Sequence, residues 1–263
     1  MMQSWRFIHA SATGTSHIEK NIPCQDAHLC TVFTSANGEN ILILTASDGA
    51  GSAARSDEGS ETACKIFTQK AVEFLSSANS VSDLNKNIIQ AWLEEIRAQF
   101  AYMASPENAS MKDFACTFMA AIIAENEAAF LQLGDGGIVV GNDDECDTYC
   151  WIFWPEKGTY ANITYFLTDA DFHDHLQFDI INRHITEVAV FTDGLERLAF
   201  NFALQEVHNP FFKGFFSALN NGNETDHLNK ALADFLHSDR VNERTDDDKT
   251  LILASRQSTN ISA

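Results

Sequence analysis

One pattern recurs three times in this chain: an apolar run that reads as a β-strand and ends on an aspartate followed by glycine. ILILTASDG places Asp48-Gly49, FLQLGDGG places Asp135-Gly136 and VAVFTDG places Asp193-Gly194. Strands this apolar belong in a core, so each delivers its last residue to a core edge, and the glycine lets the backbone turn there. A fourth version runs the other way: Asp246, Asp247 and Asp248 immediately precede the strand run Thr250–Ala254. Packed in one core, these strands bring four acidic points to a single edge.

Carboxylates that close repel strongly where water is scarce, so the arrangement calls for cations. Hard oxygen donors select Mg2+ or Mn2+ over zinc. Two such ions hold a phosphate and activate a water at neutral pH, so the residue types fit phosphate-ester hydrolysis better than acyl or hydride transfer. Asp-Gly is also the strongest short hairpin signal. At Asp135 the run FLQL-GDGG-IVV reads equally well as a hairpin, whereas the residues after Asp48 (AGSAARS) and Asp193 (LERLA) begin no partner strand. The run DDDK taken alone reads as a solvated turn.

The 263 residues are 45% hydrophobic, enough for one large core, and a single domain over 1–263 is expected. With 37 Asp plus Glu against 17 Lys plus Arg, the formal charge is −20. Such a surface repels nucleic acid and anionic membranes, so neither is an expected partner. The six cysteines include no CxxC, only Cys146-x3-Cys150, which suggests neither a disulfide scaffold nor a zinc site. The N-terminus lacks an apolar signal-type stretch and no segment reaches about 18 apolar residues, so the expected location is the cytoplasm. Asp171, His173, Asp174 and His175 form a DxHDH cluster that reads as solvated surface rather than a metal site.

Strands are predicted at Trp5–Ala10, Ile41–Ala46, Ala115–Ile123, Ala128–Leu133, Ile138–Val140, Tyr149–Phe153, Val188–Phe191 and Thr250–Ala254. Helices are predicted at Asp57–Leu75 with Ser56 as N-cap, at Val81–Met103 closed by Pro106, and at Leu228–His237. Phe211–Phe216 is left unassigned, and Thr168–Arg183 reads as a mobile surface loop. Two long consecutive helices between groups of strands point to an α+β fold rather than a doubly wound parallel sheet.

These residues, in this order, resemble the type 2C family of metal-dependent protein phosphatases across nearly the whole chain. Gln25-Asp26-Ala27-His28 is similar to the family's Glu-Asp-Ala motif and Asp48-Gly49-Ala50-Gly51 to its DGxG. Phe114-Ala115-Cys116-Thr117 resembles Gly-Ser/Cys-Thr, and Gly134-Asp135-Gly136 resembles Gly-Asp-Ser. Thr192-Asp193-Gly194 resembles Ser-Asp-Gly, and Asp247-Asp248-Lys249-Thr250 resembles Asp-Asn-x-Thr.

The resemblance implies a four-layer αββα sandwich of two antiparallel sheets flanked by helix pairs. It also implies roles: Asp48 bridges two metals, the Gly49 carbonyl sits on the second, and Asp193 and Asp247 complete the first. Asp135 with Asp193 holds a weaker third ion, and an activated water attacks phosphorus in line without a covalent phosphoenzyme. Two departures stand out. The family's phosphate-clamping Arg is Asn21 here, and its Glu is the neutral Gln25. Gly14-Thr15-Ser16-His17 with the Gln-Asp pair resembles a bacterial subgroup, and His17 or Lys20 is the expected replacement cation. Asp26 is expected to order the loop or a metal-bound water, with Gln25 also outside direct ligation. Asn162 and Thr164 look subgroup-like, although no chemistry follows for Asn162.

The expected function is therefore a Mg2+- or Mn2+-dependent phosphatase for phosphoserine and phosphothreonine in proteins, working as a monomer. The alternatives are a non-catalytic phosphopeptide-binding module that keeps the fold, motivated by Asn21 and Gln25, or a phosphatase for small metabolites.

Overall fold

The structure is a computed structural model, and it describes residues 4–105, 109–142, 145, 147–155, 164–221 and 224–257. Pro106, Cys146 and Asn162 lie outside the described residues. Along the chain come β1 (Ser4–Ala12), α1 (Thr15–Lys20), β2 (Ala27–Thr34), β3 (Asn40–Ser47), α2 (Ser56–Ser76) and α3 (Lys86–Ala104). Next follow β4 (Phe118–Ile123), β5 (Ala128–Leu133), β6 (Gly137–Gly141), β7 (Tyr149–Trp151), α4 (Phe172–His175), β8 (Gln177–Ile181) and β9 (Glu187–Phe191). The last third holds α5 (Glu196–Ala199), β10 (Phe200–Asn201), β11 (Glu206–Val207), α6 (Asn209–Asn220), α7 (Thr225–Leu236), α8 (Asp239–Asn242) and β12 (Lys249–Gln257).

Two five-stranded antiparallel sheets, in the orders β1-β12-β9-β6-β7 and β2-β3-β4-β5-β8, stack face to face. Between them lies an apolar layer that includes Leu42, Leu44, Phe130, Ile138, Val190 and Ile252. On the outer face of the second sheet, α2 and α3 cover Ile43, Phe118 and Leu131 with Phe67, Trp92 and Phe100. On the outer face of the first, α6 and α7 cover Ile8, Phe191 and Leu253 with Phe212, Phe216 and Leu232. Central strands are thus buried on both faces, which is why β3, β4 and β5 read as unbroken apolar runs rather than as alternations.

The four layers match the expected α+β sandwich, and several boundaries move. Ser56 is the first helical residue of α2 rather than its cap. Before α3, Val81–Asp83 forms a separate 3-10 turn, and Asn85 caps the helix by accepting from the Asn87 and Ile88 N–H groups. Residues 115–117 leave the β4 ladder, joined to the DGxG segment by a Gly49–Cys116 bridge. The unassigned Phe211–Phe216 lies in α6, which starts with Pro210 in its first turn and turns Phe212 and Phe216 inward. The stretch expected as a loop, 168–183, holds α4 and the edge strand β8. The alternative of a hairpin at Asp135 is overturned, because β5 and β6 belong to different sheets and the GDGG segment crosses between them.

Candidate metal and phosphate site

β3 and β5 run parallel to each other within their sheet, and β9 meets β12 antiparallel in the other. Asp48, Asp135, Asp193 and Asp247 consequently emerge at one end of the sandwich and line one cavity of about 460 Å³. Oxygens of Asp48, Asp135 and Asp193 lie within 4.8 Å of one another.

Each carboxylate is set by its backbone. Thr117 clamps Asp48 from both sides: its Oγ1 accepts the Asp48 N–H at 3.0 Å and its own N–H donates to the Asp48 carbonyl at 2.8 Å. Gly49 passes so near the first motif that a Cβ there would sit 2.7 Å from the Gln25 carbonyl, which only glycine tolerates. Asp135 is held between Gly134 and Gly136, both at φ +93°, the left-handed region that lets the chain swing from one sheet to the other. Thr164 Oγ1 donates to Asp135 Oδ2, and Gly136 N–H donates to the buried Glu196 Oε1 at 3.0 Å. Asp193 opens a single 3-10 turn after β9.

The electrostatics of this end are adverse. Burial first, and then the charges of Asp193, Asp26, Asp247 and Asp135, push the Asp48 carboxyl well above its ordinary value. Asp193 is raised by burial, then by Asp135 and Asp247. Asp247 is raised chiefly by burial. Asp26 is raised to about 7, mostly by burial, against the lowering effect of the Thr192 and Thr250 hydroxyls. Three buried oxygens here, Gln25 Oε1, Asp26 Oδ1 and Asp193 Oδ1, find no hydrogen-bond partner among the described residues. Buried acceptors are rarely left so, and an all-oxygen acceptor cluster short of donors fits a hard divalent cation.

The N-terminal residues fall differently. The Gln25 N–H donates to Asp248 Oδ2 at 2.6 Å, and its side chain is buried. His17 is also buried, with Nδ1 2.9 Å from Asp248 Oδ2, so that nitrogen is committed to a structural acid. Lys20 is exposed at the end of α1. Neither expected cation is among the residues that line the cavity. Two arginines are: Arg197, on α5 just past Asp193, and Arg244, three residues before Asp247. Both are exposed and sit beside the Asp193 and Asp247 motifs, but nothing in their spacing marks them as cavity-lining. Asp248, read only as part of an acidic run, proves to be a buried hub, accepting from the Gly14 N–H at 2.6 Å as well as from Gln25 and His17. In the DxHDH cluster, His173 meets Glu94 and His175 stacks on Tyr165.

The family described as Protein phosphatase 2C matches residues 13–237. Serine/threonine-protein phosphatase 3 of Escherichia coli (strain K12) is 37% identical over 255 residues, covering 95% of this chain and 98% of that protein. Among solved structures, the S. agalactiae serine/threonine phosphatase superposes with a TM-score of 0.62 at 14% identity, covering 96% of this chain and 99% of its own. The catalytic domain of the serine threonine protein phosphatase PstP, solved in complex with 2 manganese ions, gives 0.58 at 13% identity, covering 98% and 100%. With matches of this extent on both counts, the chain belongs to the protein phosphatase 2C family.

Proposed function

We propose that this chain is a Mg2+- or Mn2+-dependent phosphoprotein phosphatase that hydrolyses phosphoserine and phosphothreonine esters. The carrying observation is the meeting of Asp48, Asp135 and Asp193 oxygens within 4.8 Å at the end of two sheets. Asp48, the Gly49 carbonyl, Asp193 and Asp247 are the proposed holders of two ions, and Asp135 with Asp193 of a weaker third. Such ions, when bound, supply positive charge for the phosphoryl oxygens and make a water acidic enough to attack phosphorus. The chain's own part is to fix the acids: Thr117 holds Asp48, and Glu196 and Thr164 hold the Asp135 turn.

In this reading the substrate phosphate meets Arg197 and Arg244 rather than His17 or Lys20. Among the described residues no carboxylate pairs with either arginine, and both, though exposed, line the cavity. A guanidinium suits phosphate because its planar fork donates in pairs. The phosphorylated protein is the proposed partner, and a single unit over 1–263 acting as a cytoplasmic monomer belongs to the same proposal. Among the described residues no helix is long and apolar enough to cross a membrane, and the −20 charge disfavours nucleic acid.

The test is phosphate release from a phosphoserine peptide by the purified chain. Release that requires Mn2+ or Mg2+ and stops in chelator supports the proposal, and Arg244→Ala should raise KM about tenfold or more. Calorimetric binding of the peptide without release would favour the non-catalytic module. Release from small phosphate esters with peptides untouched would favour a metabolite phosphatase.

A further inference from the structure

The layer between the sheets is apolar until it nears the acid cluster, where it becomes a line of hydrogen-bonding side chains from four different segments. His9 Nδ1 lies 2.6 Å from His28 Nε2, and His28 Nδ1 lies 2.9 Å from Ser11 Oγ. Ser11 Oγ is 2.7 Å from Thr250 Oγ1, which donates to Asp26 Oδ2 at 2.8 Å. Thr192 Oγ1 donates to the same oxygen at 2.7 Å. β1 supplies His9 and Ser11, β2 supplies His28, β12 supplies Thr250, and Thr192 follows β9, so the line stitches the open edge of the sandwich to the base of the site.

The line has a direction. A carboxylate oxygen only accepts, and a hydroxyl has one proton to give. Thr250 gives its proton to Asp26, so it must accept from Ser11. Ser11 then gives its proton to Thr250 and must accept from His28, which places the His28 proton on Nδ1. A neutral imidazole with Nδ1–H has its lone pair on Nε2, so His9 in turn donates from Nδ1. Burial, with His9 nearby, lowers the His28 pKa to about 4, and burial also lowers that of His9, which keeps both rings neutral. Asp26 Oδ1 has no hydrogen-bond donor among the described residues, and Asp26 lies beside Asp48.

We propose that His28, backed by His9 and acting through Ser11 and Thr250, is a positioning residue of this site: it anchors Asp26 by Oδ2 and leaves Oδ1 to the acid cluster. The role rests on the phosphatase reading above, while the proton order does not. Two hydroxyl donors on one oxygen fix the Asp26 carboxylate plane, and the tautomer of a histidine two residues along the chain, acting back through Ser11 and Thr250, decides whether one of them is available.

The test has two arms. In metal-free wild type, 15N NMR of the imidazoles should show His9 and His28 in the Nδ1–H form; an Nε2–H form of His28 overturns the proton order and the proposal. In the metal-loaded enzyme, Ser11→Ala should lower kcat about five- to tenfold with KM for the phosphopeptide unchanged, and Ser11→Thr, which keeps a hydroxyl, should restore it. Unchanged kcat in Ser11→Ala, or equal loss in Ser11→Thr, overturns the positioning role. Where the alanine variant does not fold, Ser11→Thr and His28→Asn decide: wild-type kcat in the first with a fall in the second supports the role, and any other pair overturns it. Wild type that releases no phosphate removes the phosphatase reading itself, and the tautomers then report on the proton order alone.

Discussion

Half-buried Asp193 and buried Asp248 sit at the same end of the sandwich, yet their surroundings are opposite. Asp248 accepts from the Gly14 and Gln25 backbone N–H groups and from His17, so protein donors offset its burial. Asp193 faces other acids, and one of its oxygens has no donor among the described residues. Asp26 combines both conditions, with Oδ2 held by two threonines and Oδ1 unpartnered. A buried carboxylate supplied with donors holds loops together, whereas one surrounded by carboxylates stores repulsion until a cation or a proton relieves it.

The largest break in this comparison comes from neutralising a member of the second set. Asp48→Asn should lower phosphate release about a thousandfold or more, as should Asp193→Asn, because each removes a charged oxygen from the cluster. The same variants should melt higher than wild type in metal-free buffer, since one source of repulsion is gone. Activity retained in both, or a lower metal-free melting temperature in both, would refute the division of roles.

A second test uses pH. Asp26 has a folded pKa of about 7 against an ordinary 3.8, so the folded chain binds more protons than the unfolded one between those values. Stability is then greatest below the unfolded value and is lost as pH rises through the folded one. The loss from Asp26 and the acids it titrates with is on the order of a few kcal/mol between pH 4 and pH 8. Denaturant titrations of metal-free protein should show this decline, and saturating Mn2+ should flatten it. A metal-free stability that climbs over the same range would contradict the raised carboxyls.

Asp248 offers the converse. Asp248→Ala should destabilise the fold by about 2–3 kcal/mol with or without Mn2+, because three buried donors lose their acceptor. A metal-dependent loss would instead place Asp248 with the cluster.

Much of this was legible in the sequence, and the limits have a physical cause. Asp48 and Asp193 were readable because a buried apolar strand followed by Gly leaves its terminal Asp no position except the core edge. The layered fold was readable from the long runs in β3, β4 and β5. The fate of Asp135 was not, since GDGG serves a hairpin and a sheet-to-sheet crossing with the same residues, and only sheet membership separates them. β2 and β8 were missed because these edge strands are mostly half-buried and lack a clean alternation. The cavity lining was harder to read: motif position pointed to His17 and Lys20, and only the fold shows that His17 Nδ1 meets Asp248 and that Arg197 and Arg244 line the cavity.

The smallest expected effect concerns Lys20. Lys20 sits in the last turn of α1, exposed and outside the cavity lining, where a lysine is solvated and screened. Lys20→Ala should therefore change KM for a phosphoserine peptide by less than about twofold, within what a surface charge contributes to steering. Measured beside Arg244→Ala at two salt concentrations, it separates contact from distant attraction. A contact residue loses affinity at both salts, whereas a distant one loses what little it gives at the higher. Should Lys20→Ala match Arg244→Ala at high salt, α1 must move over the cavity when the peptide binds, and the phosphate cation belongs to the N-terminal loop after all.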